Sequence, residues 1–468
     1  MAGGSARAFT TEDTEDTEEG RAVLGALRVL RGSMLLKGAG PRSGRRRTPT
    51  AHGYPPHPWA PNEGEHADCF CAGRSLAPSP AYAIVLTLIE NGDVYAPEPL
   101  GKRSVLLVDG RIGKVGEVDR RALETLGVEY RVVDAEGCIV APGLIDPHSH
   151  LLGGSGEAGL STQTPMITLS EIVPYGITTV VGVLGVDTTM KTMAGLLARV
   201  KGLEEEGLSA RMWTGGYNVP PTTVMRSIRE DMLFIDEAIG AGEVAIADRR
   251  GLCPTPPELA KLVLDTHVGG LLSGKAGVTH FHVGDHPQRL SRLRELVGGD
   301  WAVEAEMLYP THVERSTELM DEAIDLVKRG AHADVDVVEE DLHRWVRYWL
   351  DNGGDPSRLT ISSDSGASAP RLLYEQLCKC VVEHRLPLET MLRFATENSA
   401  NVLKLPRKGR LEQDRDSDVL VMRRGSLEIV HVVARGKFMV DDGRVMVQEG
   451  FAPTTNRTIH VEGTRGAA

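Results

Sequence analysis

The chain has 468 residues, with 52 Lys+Arg against 65 Asp+Glu, a formal net charge of -13 and 41% hydrophobic residues. That acidic balance argues against nucleic acid and anionic membrane surfaces as partners, and no run approaches the ~20 apolar residues a spanning helix needs. Six cysteines (Cys69, Cys71, Cys138, Cys253, Cys378, Cys380) make no CxxC pair and are read as reduced thiols of a cytoplasmic protein.

Residues 1–80 differ from the rest. An acidic Thr-rich run is followed by a short basic-apolar patch and then by a Pro-, Gly-, Arg- and His-rich stretch containing Arg45-Arg46-Arg47. Such composition buries too little apolar surface to offset chain entropy. The segment is expected to be a disordered tail or an over-called start. The apolar positions of the patch are interrupted by Arg28 and Arg31 and follow an acidic tract, unlike a signal peptide.

From Ala83 onward short β runs alternate with turn signals at Asn91-Gly92 and Asp109-Gly110. The C-terminus answers with three more runs and turns at Arg435-Gly436 and Asp442-Gly443. These two regions, 81–140 and 405–452, are expected to form one small β-sandwich, with 453–468 as a flexible tail.

Between them, strand-like runs at 143–150, 178–183, 210–215, 243–248, 278–284, 306–312, 332–337 and 359–364 alternate with helical patterns such as 190–206, 227–239, 289–297, 316–329 and 341–351. Eight βα units over 141–404 describe a (β/α)8 TIM-like barrel, of fold class α/β. In that fold the chemistry sits at the C-terminal strand ends.

Polar residues stand there. Strand one ends in His148-Ser149-His150. Period-two geometry turns its two imidazoles to one side as a pair of metal ligands. A glycine-rich loop follows, with Gly153, Gly154, Gly156 and then Glu157. Strand three ends near Tyr217, and strand four carries Glu243 and Asp248 followed by Arg249-Arg250. Strand five carries His280 and His282, strand six His312 with Arg315 behind it, and strand eight Asp364 followed by Ser368. Imidazoles and carboxylates converging on one mouth suit zinc or a similar first-row metal.

The chain resembles the amidohydrolase superfamily and, within it, the isoaspartyl dipeptidase (β-aspartyl peptidase) family. The matching pieces are PGLIDPHSHLLGGSGEAG, ITTVVGVLGVD, TGGYNVP, AIADRR, VGGLLSGKAGVTHFHVGD, PTHVER and ISSDSGAS. The resemblance implies roles. His148, His150 and Asp364 would hold one metal, and His282 and His312 a second. Asp364 would also serve as general base and acid. Tyr217 would donate its hydroxyl to the substrate carbonyl, and Glu157 would bind the substrate α-amino group. Arg250, Arg315 and Ser368 would bind substrate carboxylate and amino groups, with the Ser155-Gly156-Glu157 backbone lining the pocket. His280 is expected to be a packed or supporting histidine. The family also implies a homo-oligomer, often an octamer.

Two departures stand out. The family bridges its metals with a carboxylated lysine, where this chain has Glu243 and no lysine between Lys201 and Lys261. Glutamate offers two oxygens and one charge, so a Glu243-bridged pair of divalent ions, zinc by expectation, is favoured over a mononuclear or inactive site. Val186 replaces a hydroxyl residue that touches substrate in the family. The expected activity is metal-dependent hydrolysis of the β-aspartyl amide of L-isoaspartyl dipeptides by a metal-bound hydroxide. The alternatives are another amidohydrolase reaction, on a cyclic amide or an N-acyl-amino acid, and a non-catalytic barrel scaffold.

Overall fold

A computed structural model describes residues 86–456. The expectations for residues 1–80, Cys69, Cys71 and residues 457–468 lie outside the described residues. In chain order the strands are β1 (Leu86–Tyr95), β2 (Pro99–Val108), β3 (Arg111–Gly116), β4 (Tyr130–Asp134) and β5 (Cys138–Pro142). Eight barrel strands follow: β6 (Leu144–Ser149), β7 (Ile177–Gly182), β8 (Ser209–Thr214), β9 (Ala238–Ile246), β10 (Thr279–Val283), β11 (Leu308–Thr311), β12 (Ala333–Asp336) and β13 (Leu359–Ser362). The last four are β14 (Val419–Arg423), β15 (Ile429–Ala434), β16 (Lys437–Asp441) and β17 (Arg444–Val445).

Both ends of the chain meet in one nine-stranded sheet, ordered β17-β16-β15-β14-β5-β1-β2-β3, with β4 also on β1. The link is β5, parallel to β1 and antiparallel to β14. Ile89, Val105, Ile112, Val140, Val419 and Val433 pack in the core of this sandwich. Three of the expected turns form, each with a residue at positive φ before glycine: Asp109, Arg435 and Asp442. The fourth does not end a strand. Asn91, at φ 62, and Gly92 form a bulge, and β1 runs on to Tyr95. The Asn91 amide donates to Asp134 Oδ1 at 2.8 Å, holding the bulge to β4.

Strands β6 to β11 form a six-stranded parallel sheet and β12 pairs with β13. The ring continues where His332 N donates to Leu308 O (3.2 Å) and closes where His150 N donates to Ser365 O (2.6 Å). Asp146 reinforces the closure by accepting from Ser363 N (3.1 Å) and Ser363 Oγ (2.6 Å). Every residue of β6, β7, β9 and β10 is buried. This is why these strands read as apolar runs: a parallel sheet is covered on both faces.

Helices fill the outer layer from strong end signals. Thr192 caps Met193–Glu206, which stops at left-handed Gly207. Thr255 and Glu258 form a capping box for Pro256–Ser273. One expected helix is shorter than its periodicity suggests. The pattern over 227–239 yields only Ile228–Phe234, because Ile235 turns extended and Ala238 already belongs to β9. Met212 N donates to Glu237 O at 2.9 Å, so pairing with β8 overrides the helical pattern. Glu243 therefore lies inside strand four, not at its start.

Candidate active site

The C-terminal strand ends converge on Glu243. Its carboxylate is fully buried, and neither oxygen has a hydrogen-bond partner among the described residues. Oε1 lies 3.5 Å from His150 Nε2. Oε2 lies 3.3 Å from His148 Nε2, 3.4 Å from His282 Nδ1 and 3.7 Å from His312 Nε2. Asp364 Oδ1 closes the ring at 3.3 Å from His148 Nε2 and 3.1 Å from His150 Nε2. An ionised carboxylate with no donor in a dry site costs several kcal/mol (about) unless a cation compensates it. The orphaned Glu243 oxygens and the orphaned His148 Nε2 are therefore the donor set a divalent metal takes. Ligand atoms of His148, His150 and Glu243, of His148, His312 and Asp364, and of Glu243, His282 and His312 each gather within 4.8 Å.

The electrostatics agree. Burial opposes a charge on His148, but Glu243 and Asp364 outweigh it and push this imidazole up to about 9. Burial likewise opposes ionisation of Glu243, yet the facing histidines hold it well below the usual carboxylate range. The carboxylates demand positive charge at this point.

Three of these histidines, His148, His282 and His312, have a partner on the other nitrogen. His280 Nδ1 lies 3.1 Å from Tyr309 O, and His280 Nε2 lies 3.2 Å from His148 Nδ1. If His280 donates to the carbonyl, it accepts from His148 Nδ1–H, which leaves His148 Nε2 with a free lone pair facing Glu243. His282 Nε2 meets Asp248 Oδ2 at 2.9 Å, leaving Nδ1 inward. His312, in left-handed backbone at φ 62, gives Nδ1 to Asp336 Oδ2 at 2.7 Å. Glu314 stands against Asp336, and burial together with that neighbour raises it well above the carboxylate range.

Towards the mouth the charges continue outward. Arg250 holds Asp248 (Nη2 to Oδ2, 2.7 Å) and reaches Glu157 Oε1 with Nη1 at 2.8 Å. Its guanidinium lies 5.4 Å from the centre of the Tyr217 ring. Burial tends to raise Asp248, but His282 and Arg250 hold it far below its usual range. Tyr217 is buried, with its hydroxyl 2.8 Å from His282 Nδ1. Burial, then Glu243, raises it well above 10, so it stays a donor.

The structure thus gathers His148, His150, Glu243, His282, His312, Asp364, Tyr217, Arg250 and Glu157. Ser155 and Gly156 are half-buried just before exposed Glu157. Ser368 Oγ donates to Asp364 O at 3.0 Å, so it sits on the same loop as Asp364. Val186 is half-buried in the loop after β7. Arg315 ends the turn Val313–Arg315 directly after His312; it is exposed, and its side chain makes no hydrogen bond or ion pair among the described residues. The sequence reasoning passed over Asp336 and Glu314. The signal was present, since Asp334 and Asp336 alternate on one face of strand seven and Asp336 stands at its C-terminal end.

An amidohydrolase family profile matches residues 139–439. The chain belongs to the amidohydrolase family and is an enzyme of that class. Within that family it groups with the β-aspartyl dipeptidases. The β-aspartyl dipeptidase of Fervidobacterium islandicum AW-1 is 35% identical, with a TM-score of 0.74 over 78% of this chain and 100% of that one. The same enzyme in complex with the β-Asp-Leu dipeptide superposes with a TM-score of 0.73 at 35% identity, over 78% of this chain and 99% of that one. An adenine deaminase of Ruegeria pomeroyi is 24% identical over 80% of this chain. The chain spans only 60% of that deaminase's length.

Proposed function

We propose that this enzyme hydrolyses the β-aspartyl amide bond of L-isoaspartyl dipeptides at a site holding two divalent ions, zinc in the first instance, bridged by Glu243. In this reading residues 141–404 form the catalytic barrel, 81–140 with 405–452 its satellite, and the protein works as a cytoplasmic homo-oligomer. The carrying observation is the Glu157–Arg250 pair, an acid and a base 2.8 Å apart beside the buried histidine-carboxylate cluster. A dipeptide with a free α-ammonium and two carboxylates matches that pair charge for charge, whereas a neutral cyclic amide offers it no opposite charge. The resemblance to a β-aspartyl dipeptidase crystallised with β-Asp-Leu supports the same substrate class.

His148, His150 and Asp364 would hold one ion and His282 with His312 the other, with Glu243 between them. Divalent metal at such a site supplies Lewis acidity and water ionised at neutral pH. The chain's own groups do the rest. Tyr217, kept protonated, donates to the oxygen of the scissile carbonyl as negative charge develops there. Asp364, held in its ionised form, takes the proton of the attacking water and returns it to the leaving amine. Glu157 receives the α-ammonium and Arg250 a carboxylate. Substrate entry exchanges one exposed ion pair for two.

Glu157→Gln keeps the shape and removes the charge. It is expected to lower kcat/KM on β-Asp-Leu by about 10- to 100-fold, the worth of one charge-assisted hydrogen bond. Any activity on an N-acetylated analogue, which lacks the ammonium, should be unaffected. An unchanged kcat/KM on β-Asp-Leu would remove this assignment.

A further inference from the structure

Lys191 lies in the loop between β7 and the helix Met193–Glu206 and is only 7% exposed. A buried ammonium is expensive unless its donors are met. Here they are met by three consecutive backbone carbonyls of the loop after β6: Leu152 O at 2.7 Å, Gly153 O, and Gly154 O at 3.0 Å. Lys191 forms no salt bridge among the described residues and gives all of its hydrogen bonds to that loop, with Asp187 acting on its charge only at longer range. Three carbonyls of successive residues do not converge on one point in a strand or a helix. The lysine therefore selects one particular loop conformation.

The same loop is held from its other side. Gly154 N donates to Thr164 Oγ1 at 2.6 Å, and Thr164 Oγ1 donates to Gly366 O at 2.6 Å. Gly366 belongs to the loop that carries Asp364 and Ser368. Gly153, at φ +82, packs so closely that a Cβ there would stand 2.3 Å from the carbonyls of Thr164 and Pro165. Lys191 and Thr164 together thus join the loops after β6, β7 and β13. The first bears Ser155, Gly156 and Glu157.

We propose that Lys191 is a positioning residue: its ammonium clamps residues 152–154 so that Glu157 is held opposite Arg250 in register with Asp364. It touches neither the metal cluster nor Arg250, so it sets where substrate binds and leaves the metal ligands alone. The kinetic part of this rests on the dipeptidase reading; the clamp itself does not.

The test compares Lys191→Met, which keeps the aliphatic stem and removes the donors, with Lys191→Arg, which keeps charge and donors. Amide hydrogen exchange on the full-length protein is expected to rise at least about tenfold across residues 152–157 in K191M, with the barrel strands unchanged and K191R close to wild type. On β-Asp-Leu, K191M should raise KM by about tenfold, with kcat within about threefold and metal content equal to wild type. K191R should restore KM. Unchanged exchange in K191M overturns the clamp whatever the activity. Faster exchange with unchanged KM overturns its role in placing substrate. A wild-type enzyme with no turnover of β-Asp-Leu overturns the dipeptidase reading instead, and exchange still decides the clamp. Should K191M fail to fold, the R variant decides: exchange across 152–157 near wild type supports the clamp, and exchange as fast as in a free loop overturns it.

Discussion

Glu243 is the residue on which the proposed chemistry turns. The sequence shows a glutamate where the family keeps lysine, and from that alone a bridge is expected; what it does not show is how close the Glu243 oxygens come to four histidines at three other strand ends, 3.3 to 3.7 Å. Both of its oxygens are buried and have no hydrogen-bond partner among the described residues, and in the proposed reading His282 and His312 would hold a second cation beside it. Metal analysis of the purified protein should find two ions per chain. Fewer than two would count against the bridge. A second expectation concerns Asp336, which accepts from His312 Nδ1. Asp336→Asn weakens the hold on that imidazole and should lower affinity for one of the two metals by about 10- to 100-fold, measured by competition with a chelator. Affinities for both ions unchanged from wild type would show that His312 needs no such partner.

At the scale of elements, the eight parallel strands were legible because most are short runs with apolar residues that end in polar ones, and a strand buried on both faces leaves that signature; β12, with Asp334 and Asp336 alternating, is the most polar of them. What misled was competition between periods. Residues 235–239 carry a helical pattern, yet Ala238 and Ile239 pair in β9, where neighbouring strands supply hydrogen bonds the local pattern does not reveal. At Asn91-Gly92 a hairpin signal marks a bulge instead, since β4, a short and largely exposed strand, supplies a partner for Asn91. Local end signals do hold where the helix is amphipathic. Thr192 accepts from Gly195 N at 3.1 Å and caps Met193–Glu206. Thr192→Ala should cost about 1 kcal/mol in denaturant unfolding. A loss near zero would show the cap to be redundant beside the adjacent Lys191 contacts.

At the scale of the molecule, the sandwich sheet and the barrel are joined by charge as well as by apolar packing. Lys408 is buried and donates to Ser209 Oγ at the start of β8 (2.7 Å), while pairing with Asp418 (2.5 Å) and Asp416 (3.0 Å). Arg407 completes the cluster at 3.0 Å from Asp416. Removing the ammonium with Lys408→Met leaves two carboxylates facing each other and should cost about 3–5 kcal/mol of stability. The same cluster sets a pH response. Burial opposes the Asp416 charge, but Lys408 and Arg407 outweigh it and lower its pKa from 3.8. A carboxylate with a depressed folded pKa adds stability above its unfolded value and loses it as pH falls through the folded one. Asp416→Asn should therefore flatten the fall in stability below about pH 4, seen in thermal unfolding across pH 2 to 7. An acid limb of unchanged steepness would place the titration elsewhere.

The central claim is the bond that is cut, and the most direct measurement is turnover by the zinc-loaded enzyme of β-Asp-Leu beside α-Asp-Leu, a hydantoin, an N-acetyl amino acid and adenine. The account expects β-Asp-Leu to be hydrolysed to aspartate and leucine with a kcat/KM at least about 100-fold above any other compound. Preferential turnover of the hydantoin, the N-acetyl amino acid or adenine, or no turnover of β-Asp-Leu by protein carrying its metals, would contradict it.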